Sequence, residues 1–168
     1  NGIIMGIRGN MSGKISTMNQ LATKYPKSGY TDDALYEKGI ALMAQEDYKS
    51  AEEVFRKVMR DAPQSVNSKK ALLKLALVQF NLKQDEQALV TYKDVVKKYP
   101  GSPESMEALT GIKNIYVGAG KPQAYFDYVK TVSNINMSSG AQDSITYEAA
   151  EQLYLKGSNK EASKNFDE

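Results

Sequence analysis

The sequence predicts an all-α protein built as a solenoid of stacked antiparallel helix pairs. Pro26, Pro63 and Pro100 stand 37 residues apart. Each opens the same frame, Pro-x-Ser-x5-Ala: Pro26, Ser28, Ala34; Pro63, Ser65, Ala71; Pro100, Ser102, Ala108. Between the prolines, apolar residues fall at helical spacing in two runs per period. Shifting by 37 superposes Ala51 on Ala88, Phe55 on Tyr92 and Val58 on Val95. A period of this length marks helix pairs that bury their apolar faces by stacking on their neighbours.

The units are read as a partial repeat over 1–25, full repeats over 26–62, 63–99 and 100–135, and a partial repeat over 136–168, within one solenoid. In the first, Ile3, Ile4, Met5 and Ile7 predict the tail of a helix that breaks at Gly9-Asn10. Ile15, Met18, Leu21 and Ala22 then predict its partner, closing at Tyr25-Pro26. The next unit places a helix over about Asp32 to Gln45 and a second over Tyr48 to Asp61, capped by Asp47. The third repeats it with Ala71, Leu72, Leu75, Ala76 and Phe80, then Ala88, Tyr92, Val95 and Val96. In the fourth, Gly118 and Gly120 stop the first helix and Pro122 starts the second. Ala124, Tyr128 and Val132 are expected to face inward there, in a hairpin one residue shorter than the others. The polar connection from Asn134 to Ser144 is expected to be the loosest joint. The last unit has Tyr147, Ala150, Leu153 and Tyr154, then Ser158 and Glu161 at capping-box spacing before Ala162 and Phe166.

The Pro-x-Ser frame has a physical cause. Proline ends the preceding helix by removing a donor and clashing with the turn before it. The serine oxygen two residues on accepts from the free amides of the next helix, worth about 1 kcal/mol. After Ser102, Pro103 and Glu104 add a proline at the first helical position and an acid in the first turn.

Composition excludes several functions. The chain has 168 residues, 41% hydrophobic and 25% charged, as a folded water-facing protein does. A net charge of +2 and lysines interleaved with acids (Lys69, Lys83 and Lys97 among Asp85, Glu86 and Asp94) give no case for nucleic acid. With no cysteine and no histidine, disulfides, thiol nucleophiles, Ser-His-Asp triads and ordinary zinc sites are absent. No apolar run approaches the ~18 residues that direct membrane insertion needs. The chain opens at Asn1-Gly2-Ile3 and ends at Phe166-Asp167-Glu168 within a helical pattern, as expected of a piece of a longer protein with further repeats at both ends.

Adjacent carboxylates at Asp32-Asp33 and Glu52-Glu53 point about 100° apart on a helix and make no shared acid–base site. Gly118-Ala119-Gly120-Lys121 lacks the strand and the Gly-Lys-Ser/Thr ending of a phosphate loop, and sits where a hairpin turn belongs. No catalytic residue, cofactor or metal is therefore expected. Asn10-Met11-Ser12 and Asn136-Met137-Ser138 match the glycosylation acceptor pattern, which is common by chance.

The order of small, aromatic and proline residues resembles the tetratricopeptide repeat family. The matching residues are Gly39, Ala51, Phe55, Pro63; Ala76, Ala88, Tyr92, Pro100; and Ala150, Ala162, Phe166. The resemblance implies a right-handed superhelix in which small residues let paired helices approach and an aromatic fills the gap between neighbours. The period of 37 departs from the family's usual ~34, and Lys38 and Gln79 stand where the family prefers large apolar residues. The Pro-x-Ser linker resembles a variant in bacterial cell-envelope repeat proteins, such as the outer-membrane β-barrel assembly lipoprotein and the periplasmic partner of the Tol–Pal system. That implies a periplasmic or outer-membrane-associated location, with the cytoplasm still open.

The resemblance also implies that the first helix of each unit lines a concave, partner-binding surface. By register, its candidates are Tyr36, Ile40 and Met43; Leu73, Leu77 and Phe80; Lys113 and Tyr116; and Tyr147, Glu151 and Tyr154. Aromatics there would give contact area at low entropic cost. Phe80 and Met43 are expected in the core, and Tyr36, Tyr147 and Tyr154 exposed. Tyr36, Ile40 and Leu73 replace the lysines and asparagines of family members that clamp acidic C-termini, so a carboxylate clamp is excluded. The expected function is a non-catalytic scaffold for a protein or peptide. The rival is a structural spacer or self-assembly element whose ends stack on further repeats.

Overall fold

A computed structural model of the chain describes residues 10–25, 28, 30–133, 135 and 137–166. Ile3 to Ile7, Pro26 and Asn136 lie outside the described residues, as does the side chain of Phe166. The helices are α1 (Met11–Lys24), α2 (Thr31–Ala44), α3 (Tyr48–Asp61), α4 (Val66–Asn81), α5 (Asp85–Lys98), α6 (Pro103–Gly118), α7 (Pro122–Lys130), α8 (Ser139–Leu155) and α9 (Asn159–Phe166). Among the described residues there is no strand. The fold is the expected all-α succession of antiparallel helix pairs. It divides into two compact units, one ending at Ala108 and one beginning at Leu109.

In the first unit each helix from α1 to α5 packs on the next, and α2 also meets α4. The core runs through Leu35, Leu42, Ala51, Val54, Phe55, Val58, Ala71, Leu75 and Val78. Its tightest approach is at Gly39, where an added Cβ would come within 2.5 Å of the Phe55 ring. Glycine therefore makes room for the aromatic of its own helix pair, and even alanine would force the ring to shift.

Helix ends follow the repeat closely. The residues closing α1, α3 and α5 are Tyr25, Ala62 and Tyr99, all with nearly the same backbone angles, φ between −129° and −139° and ψ between 53° and 61°. Each immediately precedes a proline, which disfavours helical backbone at that position. Their amides still donate to Leu21, Val58 and Val95 carbonyls at 3.0 Å. Ser65, Ser102 and Ser138 accept from the amides of Ser68, Ser105 and Ala141, each at 3.2 Å. Ser28 departs from this: α2 begins at Thr31, and Ser28 Oγ accepts from the Tyr30 amide at 3.3 Å instead.

The turn inside each pair is one structure used repeatedly. Glu46, Lys83, Gly120 and Gly157 all have positive φ and stand 37 residues apart. The amide after each reaches back five residues: Asp47 to Leu42, Gln84 to Gln79, Lys121 to Tyr116 and Ser158 to Leu153, at 2.8–3.0 Å. The amides of Glu46, Lys83, Gly120 and Gly157 themselves donate to Met43, Phe80, Val117 and Tyr154 carbonyls. This pair of bonds satisfies helix-end carbonyls and needs one residue in the left-handed region. Asp47 then caps α3, accepting from the Ser50 amide.

This fixed spacing corrects the expectation of a shorter third hairpin. Lys83 to Gly120 is 37 residues, so the position of Ala51 and Ala88 falls on Tyr125, not Ala124. The buried residues of α7 are Pro122, Tyr125, Phe126 and Val129, while Ala124, Tyr128 and Val132 are half-exposed. A large residue thus replaces the small one, and Val129 replaces the aromatic of Phe55 and Tyr92. The exchange roughly preserves volume along that face. The departure lies in the next connection: α7 ends at Lys130 and α8 starts at Ser139, leaving eight residues where four join α5 to α6, and this overlaps the stretch expected to be loose. In this second unit α8 packs on α9 and on α7, with Ala149, Ala150, Leu153 and Ala162 buried.

Candidate functional site

The first helices of the pairs carry the candidate partner-binding face. In the first unit it is built on α2 and α4, whose sequences align by 37: Tyr36 with Leu73, Ile40 with Leu77, Met43 with Phe80. Ile40, Met43, Leu77 and Phe80 are each half-exposed. Met43, like Ile40 and Tyr36, packs partly buried against the core cluster, and Phe80 is partly buried. Leu73 is 3% exposed and belongs to the packing. Tyr36, expected to be exposed, is half-buried, its ring centre 5.9 Å from that of Phe55. Burial, with Glu37, Glu107 and Glu104 nearby, pushes its hydroxyl above the usual phenol range. Tyr36 thus stays a neutral donor through any ordinary pH.

The reason α2 and α4 bury so much is that each packs on more than one neighbour. A first helix in a stack meets its own partner and the flanking pair, leaving a narrow strip free. The buried Gln79 shows this. It stands where an apolar residue was expected, yet its Oε1 accepts from Thr91 Oγ1 at 2.7 Å. That bond within one helix pair offsets the cost of burying the amide.

Charged groups bridge successive first helices. Lys69 meets Glu104 at 2.8 Å and Lys74 meets Glu107 at 3.1 Å. The Lys69 bond, outweighing burial, holds Glu104 below its usual carboxylate range. Asn67 donates to both Asp32 and Asp33. Lys14, nearly buried, pairs with Glu37 at 2.6 Å. The more exposed Lys74–Glu107 pair contributes little stability by itself; together these groups carry balanced charge.

In the second unit Tyr147 and Tyr154 on α8 are each 61% exposed, and Glu151 between them is exposed too. They lie seven residues apart on one side of the helix. Lys113 and Tyr116 are one residue out of register with the positions on α2 and α4. Counted by 37, they align with Ala76 and Gln79, whereas Asn114 and Val117 align with Leu77 and Phe80. Lys113 is half-exposed and paired with Glu148 at 3.0 Å, and Val117 is fully buried. The signal that sets this register is in the sequence: Gly120 and Gly157 are themselves one period apart.

Among the described residues no group of acids could hold a metal ion, and no helix is long and apolar enough to cross a membrane.

Comparison with known proteins gives the same architecture. No curated protein matches the sequence. The structure resembles MamA, residues 41 to the end, from Desulfovibrio magneticus RS-1, with a TM-score of 0.66 at 20% identity, covering 99% of this chain and 87% of that one. It also resembles a tetratricopeptide repeat protein from Parabacteroides merdae (TM-score 0.70, 14% identity, 99% and 61% covered). A third is YrrB, described as a TPR protein with an unusual peptide-binding site (TM-score 0.64, 16% identity, 99% and 79% covered). The family model for the tetratricopeptide repeat matches residues 33–65 and 70–102. Those two stretches are tetratricopeptide repeats, and the chain has the fold of that family's stacked helix pairs.

Proposed function

We propose that this chain is a non-catalytic scaffold that holds a peptide or protein segment along the face of its first helices. The observation that carries this reading is the half-exposed apolar strip of Ile40, Met43, Leu77 and Phe80 on α2 and α4. Most other apolar side chains of those helices are buried, with Val66 at the start of α4 exposed as well. Apolar area accompanied by balanced charge favours a partner with its own apolar side chains over a strongly charged one. The Tyr36 hydroxyl, held neutral, supplies a hydrogen bond to orient the partner backbone. Within the second unit, the exposed Tyr147 and Tyr154 offer aromatic recognition chemistry of their own. The peptide-binding site described for YrrB is support by analogy of fold. The bacterial cell-envelope location rests on the Pro-x-Ser linkers, and cell fractionation with an antibody to the chain tests it.

The test is affinity capture from native extract, comparing wild type with Ile40→Ser/Leu77→Ser, two partly exposed positions. A protein retained by the wild type and lost by the folded variant is the expected result. Equal retention by both would place recruitment elsewhere and favour a spacer within a larger repeat protein. Tyr36→Ala, by contrast, is expected to cost stability as well, because its ring packs on Phe55.

A further inference from the structure

A second candidate site lies away from the first-helix strip, at the junction between the first two repeats. There a surface cleft of about 470 Å³ is lined by Leu35, Asp32, Lys57, Asp61, Ala62 and Ser65 among others. Its origin can be read from the repeat. The residues closing the second helices are Tyr25, Ala62 and Tyr99, so Ala62 stands where its neighbours carry a phenol ring. One period on, that ring is present. The Lys69 ammonium lies 6.0 Å from the centre of the Tyr99 ring, and Lys69 is the period-37 counterpart of the cleft residue Asp32. Backbone angles at Ala62 and Tyr99 agree within 10°, so the same path is open to a side chain from either. The cleft is the space of a missing tyrosine.

Its charge is the inverse of the filled site. Where the ring of Tyr99 meets Lys69, the cleft offers Asp32. Where the later junction has Asp94 followed by Lys98, the cleft has Lys57 followed by Asp61, paired at 3.1 Å. Asp32 stays ionised at neutral pH: burial disfavours the charge, but hydrogen bonds from Ser65, Asn67 and backbone amides outweigh it. Asp33, bonded to the same Asn67 amide, adds negative charge nearby. An aromatic ring that fits this space meets an acid rather than a lysine.

We propose that the cleft at Ala62 is a docking site for a partner segment bearing a tyrosine next to a basic residue. The ring takes the place that Tyr99 occupies one repeat later, and the neighbouring cation pairs with Asp32. The size of the cleft, the filled precedent in the same chain and the inverted charge all fit this one occupant. A ring laid over Ala22 and Ala62, both partly exposed in the cleft, removes apolar area from water, and a charge-assisted bond to Asp32 selects the basic neighbour.

The experiment is an amide-shift titration of the chain with acetyl-Ala-Tyr-Arg-Ala-amide. The expected result is saturable shifts at Ala62, Ser65 and Leu35. Ala62→Tyr, which fills the cleft with the chain's own ring, should abolish them while thermal melting shows an intact fold. Ala62→Leu serves the same purpose if the tyrosine variant fails to fold. Asp32→Asn should weaken binding about tenfold, as loss of a charged hydrogen-bond partner does. The peptide with Ala for Tyr should give no shifts. Absence of saturable shifts overturns the proposal, and so do shifts that persist in the filled variants or that centre on Tyr36 and Ile40. The Ile40→Ser/Leu77→Ser variant should bind the peptide normally, which separates this site from the first-helix strip.

Discussion

In the unit that ends at Ala108, the turn between paired helices passes through Glu46 and Lys83. In the unit that begins at Leu109, it passes through Gly120 and Gly157. All lie in the left-handed region, with φ between 59° and 78°, and all are followed by the same five-residue back-bond. The backbone is thus set by the way two antiparallel helices must close, not by the residue at the turn. A side chain in that region costs about 1–2 kcal/mol. The first unit tolerates the cost twice because its helices pack continuously from α1 to α5 around Phe55 and its neighbours. In the second unit glycine removes the strain, and at Gly120 it does something more. An added Cβ there would come within 2.4 Å of Leu153 Cδ1, while at Gly157 it would meet nothing within 4 Å. The two glycines therefore answer different demands, one of space and backbone together, the other of backbone alone.

The largest effect should come from Gly120→Ala. It combines left-handed strain with displacement of Leu153, and should destabilise by about 1–3 kcal/mol in urea unfolding. Gly157→Ala carries only the backbone penalty and should cost about 1 kcal/mol. Equal losses for the two would show that Leu153 moves aside freely, and the distinction between the glycines would fall. The smallest effect should be the reverse exchange, Glu46→Gly or Lys83→Gly. Relief of strain is partly offset by glycine's greater freedom when unfolded, so a gain of up to about 1 kcal/mol is expected. A loss instead would mean that the Glu46 or Lys83 side chain makes contacts that outweigh its backbone strain.

The same comparison shows what the sequence made legible. Proline spacing, Pro-x-Ser frames and Asp47 located α3 to the residue, because capping and chain breaking are local chemistry. The turn positions were equally local, but Glu46 and Lys83 hid them: only glycine announces a left-handed residue. Without that anchor, the small Ala124 aligns with Ala88 in place of Tyr125, which puts Ala124, Tyr128 and Val132 on the inward face. Tyr36 and Leu73 were misjudged for another reason. Helical periodicity separates one apolar side from one polar side, whereas a helix inside a stack buries parts of several. Which strip stays free depends on neighbours some 35 residues away, as Lys69 with Glu104 and Lys113 with Glu148 show. The cleft at Ala62 was likewise invisible as a cleft, although the alternation of Tyr25, Ala62 and Tyr99 was in plain view.

The recurring turn also bears on how the chain reaches its structure. Its closing bonds span five residues or fewer, and the helices they join are neighbours in sequence. The entropy lost in closing each hairpin is therefore small. Chains dominated by such near contacts fold on the microsecond-to-millisecond scale rather than in seconds. Any hairpin can form first and template the next, so there is no single obligatory nucleus. A damaged turn such as that of Gly120→Ala should then raise the unfolding rate of its own pair while distant hairpins still form at their usual speed.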